Sequence, residues 1–417
     1  MKNPWKHFYR HDYDTRLKII KKFSHLNSPQ IQRLQNNYRQ RSSGLVENYV
    51  TDYALPEGIA VGLKINGHLH AVPMVTEEPS VIAAASNGAG MLSSGQGIKA
   101  TVLNRRLTGQ IVISLHDFRR FKVWLHRHKF QLIQIADQAH PTIKNHGGGA
   151  RELILRKIDR HYYSLDLLVD VSEAMGANVM NSMLEAVADF LNQQFHQITL
   201  MSILSNYADH SLVRVIGKVG WKKLATRQMS GQRVAKRIAL ASSIAQLDIH
   251  RAATHNKGIM NGIDAVVIAL GNDWRAIESG VQAYAAHQGR YQGLSQWKTS
   301  SNDLVGTMVL PLPLGFVGGA TRVLPLAKVN QQIAQVHSAR DMMRLVAALG
   351  LAQNLAALRA IVTDGIQRGH MYLQMRSLAM SAGASSQELP LVTAQLRRMK
   401  RPSLEIARRI VQNLKQE

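Results

Sequence analysis

The sequence predicts an α+β protein in which a larger mixed α/β part is interrupted by a smaller α+β unit. Three observations carry this reading. The chain has 417 residues, more than one compact core usually holds. From about Gly109 to Val215 the pattern runs strand, helix, strand, strand, helix, strand, which suits a compact insert of about 100 residues. On either side, helical stretches alternate with glycine-punctuated apolar ones. The expected boundaries are 1–108 and 216–367 for the two parts of the larger domain, 109–215 for the insert and 368–417 for a C-terminal helical segment.

The elements follow in order. Residues 1 to about 41 read as a polar, basic, helical arm. KINGHLHAVPM reads as a hairpin, because Asn66-Gly67 is a type I′ turn signal between two short strands. In TEEPSVIAAAS, Pro79 suits the first turn of a helix of small residues that reaches Ala89, and small residues let another backbone come close. Within the insert, QIVISL is a strand, Phe118 to His140 a cationic helix ended by His146-Gly147-Gly148-Gly149, RELILRKI and YYSLDLLVDV paired strands, Glu173 to Gln194 an amphipathic helix, and QITLMSILS the last strand. Farther on, Lys257 falls in a polar, glycine-punctuated turn and DAVVIAL reads as strand-like. Asp273 to His287 and Ala339 to Arg368 read as helices, and MVLPLPLGFVGGATRVLP as strand and loop. The tail from Leu389 reads as two short helices split at Pro402, with Ala382 to Ser386 as a hinge.

Composition narrows the chemistry. There is no cysteine, so disulfides, thiolate zinc sites and cysteine nucleophiles are excluded, and no metal is expected. Lys and Arg number 51 against 27 Asp and Glu, a formal charge of +24. Such an excess suits polyanions, either nucleic acid or phosphate-bearing small molecules, or a solvated basic surface. Aromatics are few and form no basic–aromatic platform, which weighs against nucleic acid. The apolar runs look too short to span a bilayer, and the basic N-terminus lacks a signal-peptide core, so a cytoplasmic protein is expected.

Four stretches hold candidate chemistry, one of them, RAATHNKGIMNGIDAVVIALGNDWRAIESG, carrying both Lys257 and Asp273. Glu78 is placed at the start of a buried helix, where desolvation raises a carboxyl pKa and the helix N-terminus lowers it; a capping carboxylate is the simpler alternative. Lys257 has the charge for an oxyanion stabiliser or anion anchor. Asp273 lies just before a helix and is equally a normal N-cap. His370 in RGHM is either a general acid near a flexible tail or a packing residue. The strand-to-helix turn DVSEAMGAN lets backbone approach a phosphate but is no GxGxxG fingerprint.

Together and in this order, EEPSVIAAAS, AMGAN, THNKGIMNGID, GNDWRA, GLAQN and GHM resemble the bacterial class II 3-hydroxy-3-methylglutaryl-CoA (HMG-CoA) reductases, over nearly the whole chain. The resemblance implies reduction of HMG-CoA to mevalonate and CoA by two nicotinamide hydrides. It also implies a homodimer with active sites at the interface, a small non-Rossmann, ferredoxin-like cofactor domain and a C-terminal flap. It assigns the catalytic set to Glu78, Lys257, Asp273 and His370, with Asp273 bonded to both other groups at the carbonyl and His370 protonating the CoA thiolate. Ser80, Arg251, Asn261 and Gln353 are the implied substrate contacts. Glu173, Met175, Gly176, Asn178 and Asn206 are the implied cofactor contacts, Glu173 replacing the family's usual Asp and Gln374 a frequent second His. In NADH-using relatives an Asp precedes the GGG turn; here His140-Pro141 stands near that point and Lys144 follows. That exchange suits a 2′-phosphate, so NADPH is the expected cofactor and NADH the alternative. Mevalonate synthesis for isoprenoids is the expected direction, with mevalonate oxidation as the alternative.

Overall fold

The structure is a computed structural model that describes residues 3–363, 365, 375–399 and 402–414. Two compact units divide at Pro56. In the first, Met1–Pro56, helix α1 (Tyr13–Ser24) starts where the Asp12 carboxylate accepts the Thr15 N–H at 2.8 Å. Helix α2 (Ser28–Asn36) starts with a reciprocal capping box between Asn27 and Gln30. The expected polar arm is helical for these reasons.

The second unit, Glu57–Glu417, contains two sheets. Strands β1 (Glu57–Ile65) and β2 (His68–Val75) form the expected hairpin, with Asn66 and Gly67 at φ 49° and 94°, the left-handed pair a type I′ turn requires. Helix α3 (Pro79–Ser93) follows, then β3 (Ile98–Val102). β4 (Leu107–Ser114), α4 (Phe118–Ala139), the short α5 (Pro141–Asn145), β5 (Gly149–Lys157), β6 (Tyr162–Asp170), α6 (Ala177–Phe195) and β7 (Thr199–Leu204) come next. They make an antiparallel four-stranded sheet in the order β5-β6-β4-β7. Its core joins Ile111, Leu165 and Leu167 of the strands to Phe121 and Leu132 of α4 and Met183 and Val187 of α6.

The chain then returns through β8 (Leu212–Gly220), α7 (Trp221–Leu224), α8 (Gly231–Leu247), α9 (Ile249–Ala269), α10 (Trp274–Tyr284), β9 (Ser295–Ser300), β10 (Asp303–Pro311), α11 (Pro325–Ile333) and α12 (Ala339–Val362). The larger sheet has the order β2-β1-β3-β8-β10-β9. Helices α3, α9 and α12 pack on one another beside it. A Cβ at Gly88 of α3 would overlap the carbonyl of Ala352 on α12, so glycine is what lets these two helices touch. Short helices Leu389–Arg398 and Leu404–Leu414 flank Pro402 and share a small core, as expected for the tail.

Several expectations need correction. The helix placed at Glu173 begins at Ala177, because Gly176 caps it at φ 93° and residues 171–176 form a turn. DAVVIAL is no strand and Lys257 lies in no turn: both belong to α9, which runs unbroken through Gly258 and Gly262. A short apolar run cannot distinguish strand from buried helix, and here burial decides, with Ile263, Val266 and Val267 wholly enclosed. The helix placed to Arg368 ends at Val362. α12 is also long and apolar enough to cross a membrane, contrary to the sequence reading, but 72% of its apolar window is buried. It is the central core helix of the larger sheet.

Gly88→Ala tests the α3–α12 contact. The added methyl forces the helices apart, at a cost of about 1–3 kcal/mol. Thermal unfolding should show a lower Tm for this variant, whereas Gly90→Ala, where a Cβ meets nothing within 4 Å, should leave Tm unchanged or raised.

Candidate functional site

The three packed helices hold the first cavity, about 340 Å³ in volume. Glu78, Ser80, Arg251, Lys257, Asn261 and Gln353 all line it. They come from three separate helices, and each is placed by its element. Pro79 fixes the first turn of α3, leaving Glu78 as its N-cap residue. The Glu78 carboxylate accepts a 2.8 Å hydrogen bond from the Ser80 hydroxyl instead of capping the helix. The expectation of a buried carboxylate is not met within the chain: Glu78 is exposed, although Ser80 behind it is buried. Lys257 and Asn261 stand at i and i+4 of α9 and therefore share a face. Gly262 lets α12 close in, since a Cβ there would come 3.1 Å from the Gln353 side chain. Gln353 is 3% exposed and its Oε1 has no hydrogen-bond partner among the described residues. Burial lowers the pKa of Arg251, yet a guanidinium remains a cation.

One wall of this cavity is a rigid polar cluster. His255 Nε2 lies 2.7 Å from Ser295 Oγ. The Ser295 hydroxyl donates to Asn354 Oδ1 at 2.8 Å, and Trp297 Nε1–H donates to the same oxygen at 2.7 Å. Burial, then the charge of Arg251, pushes the His255 pKa down to about 4, so this imidazole is neutral at neutral pH.

Asp273 lies elsewhere. It caps α10, its Oδ1 accepting the N–H groups of Arg275 and Ala276 at 3.1 and 3.2 Å, and pairs with the Arg275 guanidinium at 3.4 Å. It lines a second cavity, of about 290 Å³, with Met175, Asn272 and Trp274. The expected meeting of Asp273 with Lys257 does not occur within one chain. Twelve residues of α9 separate Lys257 from the helix end at Ala269, about 18 Å along the axis.

The cofactor candidates divide too. Met175 lines the second cavity and Gly176 caps α6 beside it. The Glu173 side chain is turned away to the start of α12, where its Oε2 accepts the Ala339 N–H at 2.5 Å. Asn178 and Asn206 are exposed. His140 ends α4 with its Nδ1 2.9 Å from the Thr142 hydroxyl. Lys144 is not a free cation: it pairs at 3.3 Å with Asp137, whose other oxygen accepts the Ala150 N–H at 2.8 Å. His370 and Gln374 lie outside the described residues.

Sequence reading missed Thr254, His255, Asn354 and Ala357 in the first cavity. Had α9 been read as a helix, Thr254, Lys257, Gly258 and Asn261 at i, i+3, i+4 and i+7 would have marked one polar stripe. Nothing local marked Asn272 or Gly315 in the second.

The fold is a two-sheet α+β arrangement in which the candidate residues line two separate cavities. A family model for hydroxymethylglutaryl-coenzyme A reductase matches residues 12–375. A 3-hydroxy-3-methylglutaryl-coenzyme A reductase of Archaeoglobus fulgidus is 39% identical over 415 residues, covering 98% of this chain and 94% of the relative. A probable enzyme of the same name from Borreliella burgdorferi is 32% identical over 388 residues, 89% of this chain and 87% of the relative. A Streptococcus pneumoniae class II HMG-CoA reductase structure, bound to NADPH in open conformations, superposes with TM-score 0.76 at 40% identity, over 97% of this chain and 100% of that one. The chain belongs to the HMG-CoA reductase family.

Asp264 adds a titration next to the site. It follows Lys257 and Asn261 along the same face of α9, at i+7, and among the described residues its Oδ1 is buried without a partner. Burial first, then Glu278, raises its pKa from 3.8 to about 7. A raised acid stabilises the fold at low pH and loses that contribution as pH rises through about 7. Asp264→Asn should therefore gain stability over the parent between pH 5 and pH 8, by on the order of 1 kcal/mol after solvent screening. Denaturant titrations at both pH values check the sign.

Proposed function

We propose that this protein reduces HMG-CoA to mevalonate and CoA with NADPH, in the biosynthetic direction and in the cytoplasm. The observation that supports this most is the gathering of Glu78, Ser80, Arg251, Lys257, Asn261 and Gln353 at one cavity. One cation there suits the acyl carboxylate and a second the reacting carbonyl. In this reading Arg251 and Ser80 hold the carboxylate, and Asn261 and Gln353 fix the acyl chain. The Lys257 ammonium faces the thioester carbonyl and stabilises charge developing on its oxygen. Glu78 gives a proton to the alkoxide of the second reduction. His370 protonates the departing thiolate from the tail.

The second cavity suits a nicotinamide cofactor. Four of its eleven lining residues, Gly271, Gly315, Gly318 and Gly319, are glycines, which leave bare backbone for close approach of a flat ring. The bound cofactor supplies hydride; Met175, Gly176, Asn178 and Asn206 hold and orient it, and Asp273 polarises the reacting group together with Lys257. Because Asp273 and Lys257 lie at different cavities, the protein acts as a homodimer in which one copy brings Asp273 and the cofactor cleft to the Lys257 cavity of the other. Residues 109–215 are the cofactor domain, and their strand order with two helices fits the ferredoxin-like arrangement. Residues 1–108 and 216–367 make the substrate domain, and 368–417 the flap. NADPH preference is supported by Asp137, which is tied to Ala150 and Lys144 and so presents no free carboxylate to a ribose.

Two measurements test this reading. HMG-CoA-dependent oxidation of NADPH should be present in the parent, and Lys257→Ala should lower kcat by about 10²–10³ with its fold retained. A folded Lys257→Ala variant with parental kcat rejects the assigned role. Steady-state kinetics should also give a higher kcat/KM with NADPH than with NADH; a clear preference for NADH overturns the cofactor assignment.

A further inference from the structure

Arg105 lies in the link between β3 of the larger sheet and β4 of the smaller one. It is 6% exposed, and among the described residues its two Nη groups donate to three main-chain carbonyls while its Nε is buried without a partner. One Nη donates to Ser172 in a short contact, and the other to Ala174 at 2.8 Å and Leu314 at 2.7 Å. Ser172 and Ala174 belong to the turn that carries Met175, and Leu314 follows β10 of the other sheet. One buried cation therefore clamps the smaller sheet's turn to the larger sheet's loop.

The clamped turn is strained and tightly fitted. Ser172 has φ 51°, rare for a residue with a side chain. The Glu173 carbonyl accepts the N–H groups of Phe316 at 2.8 Å and Val317 at 3.2 Å. A Cβ at Gly315 would overlap the Met175 backbone. Gly315 is in turn locked to Asn272, whose Oδ1 accepts the Gly315 N–H at 2.8 Å and whose Nδ2 donates to the Gly315 carbonyl at 3.1 Å. Asn272 precedes Asp273. A continuous set of ties thus runs from Arg105 through Met175 and Gly315 to the Asp273 loop.

We infer that Arg105 is a positioning residue for the nicotinamide cofactor, fixing Met175 at the distance from Asp273 that the second cavity needs. This rests on the cofactor reading of that cavity. Burial lowers the Arg105 pKa to about 10, with Glu173 and Asp170 opposing the shift, so the clamp stays charged at working pH. A lysine has one point charge and cannot span three carbonyls in a planar fork, so Arg105→Lys restores the clamp only in part.

The test compares two affinities on the full-length protein: NADPH by nucleotide fluorescence and HMG-CoA by calorimetry. Arg105→Met should raise the NADPH Kd about tenfold or more, as expected for lost charged hydrogen bonds. Arg105→Lys should fall between it and the parent. The HMG-CoA Kd should change less than the NADPH Kd in both variants, since among the described residues these ties run to the Asp273 loop and not to Arg251, Lys257 or Gln353. If Arg105→Met does not fold, Arg105→Lys carries the test. Unchanged NADPH affinity in the folded variants, or equal loss for both ligands, overturns the inference. A parent that binds HMG-CoA but not NADPH removes the cofactor reading itself, and the inference with it.

Discussion

An unbroken helix from Ile249 to Ala269 governs this structure. Its middle carries Lys257 and Asn261 to one cavity, and its end hands the chain to Asp273 at another. A helix of this length is a rigid spacer. It cannot bend to bring Lys257 and Asp273 together, so within one chain they line separate cavities. Glycines let the neighbouring helices pack closely. Gly262 lets Gln353 of α12 approach, and Gly88 lets α3 do the same from the other side. Each costs helix propensity, about 1 kcal/mol relative to Ala, and the close packing of three helices offsets it.

The same helices set the electrostatics of the first cavity. Trp297 and Asn354 fix the Ser295 hydroxyl, which holds His255 by its Nε2. Kept neutral by burial, His255 leaves Arg251 and Lys257 as the cations of the cavity and Glu78 as its carboxylate. That complement suits an acyl group with an anionic end and a reacting carbonyl.

How much was legible in the sequence depended on whether a local signal agreed with packing. The Asn66-Gly67 hairpin was readable because its turn chemistry is self-contained. The smaller sheet was readable because its periodicities switch cleanly between two and 3.6. Helix α9 was misread for the opposite reason: Gly258 and Gly262 look like turn punctuation, and only the neighbouring helix explains them. Residues of the first cavity were recovered through family motifs, as spacing alone left Glu78 and Asp273 as plausible caps. Asp273 proves to be a cap in geometry. Arg105 had no signal, since the carbonyls it binds lie 67 and more residues away.

If two copies must share a site, loss of function should be repairable between subunits. Lys257→Ala and Asp273→Ala are each expected to be inactive as homodimers. Co-expressed and purified as a mixture, they form hybrids in which one of two sites regains both native residues. With random pairing, activity returns to about a quarter of the parent's. A mixture as inactive as its parts, with hybrid dimers shown by differential tagging, would mean that Lys257 and Asp273 serve the site from the same chain and that the two-cavity account is wrong.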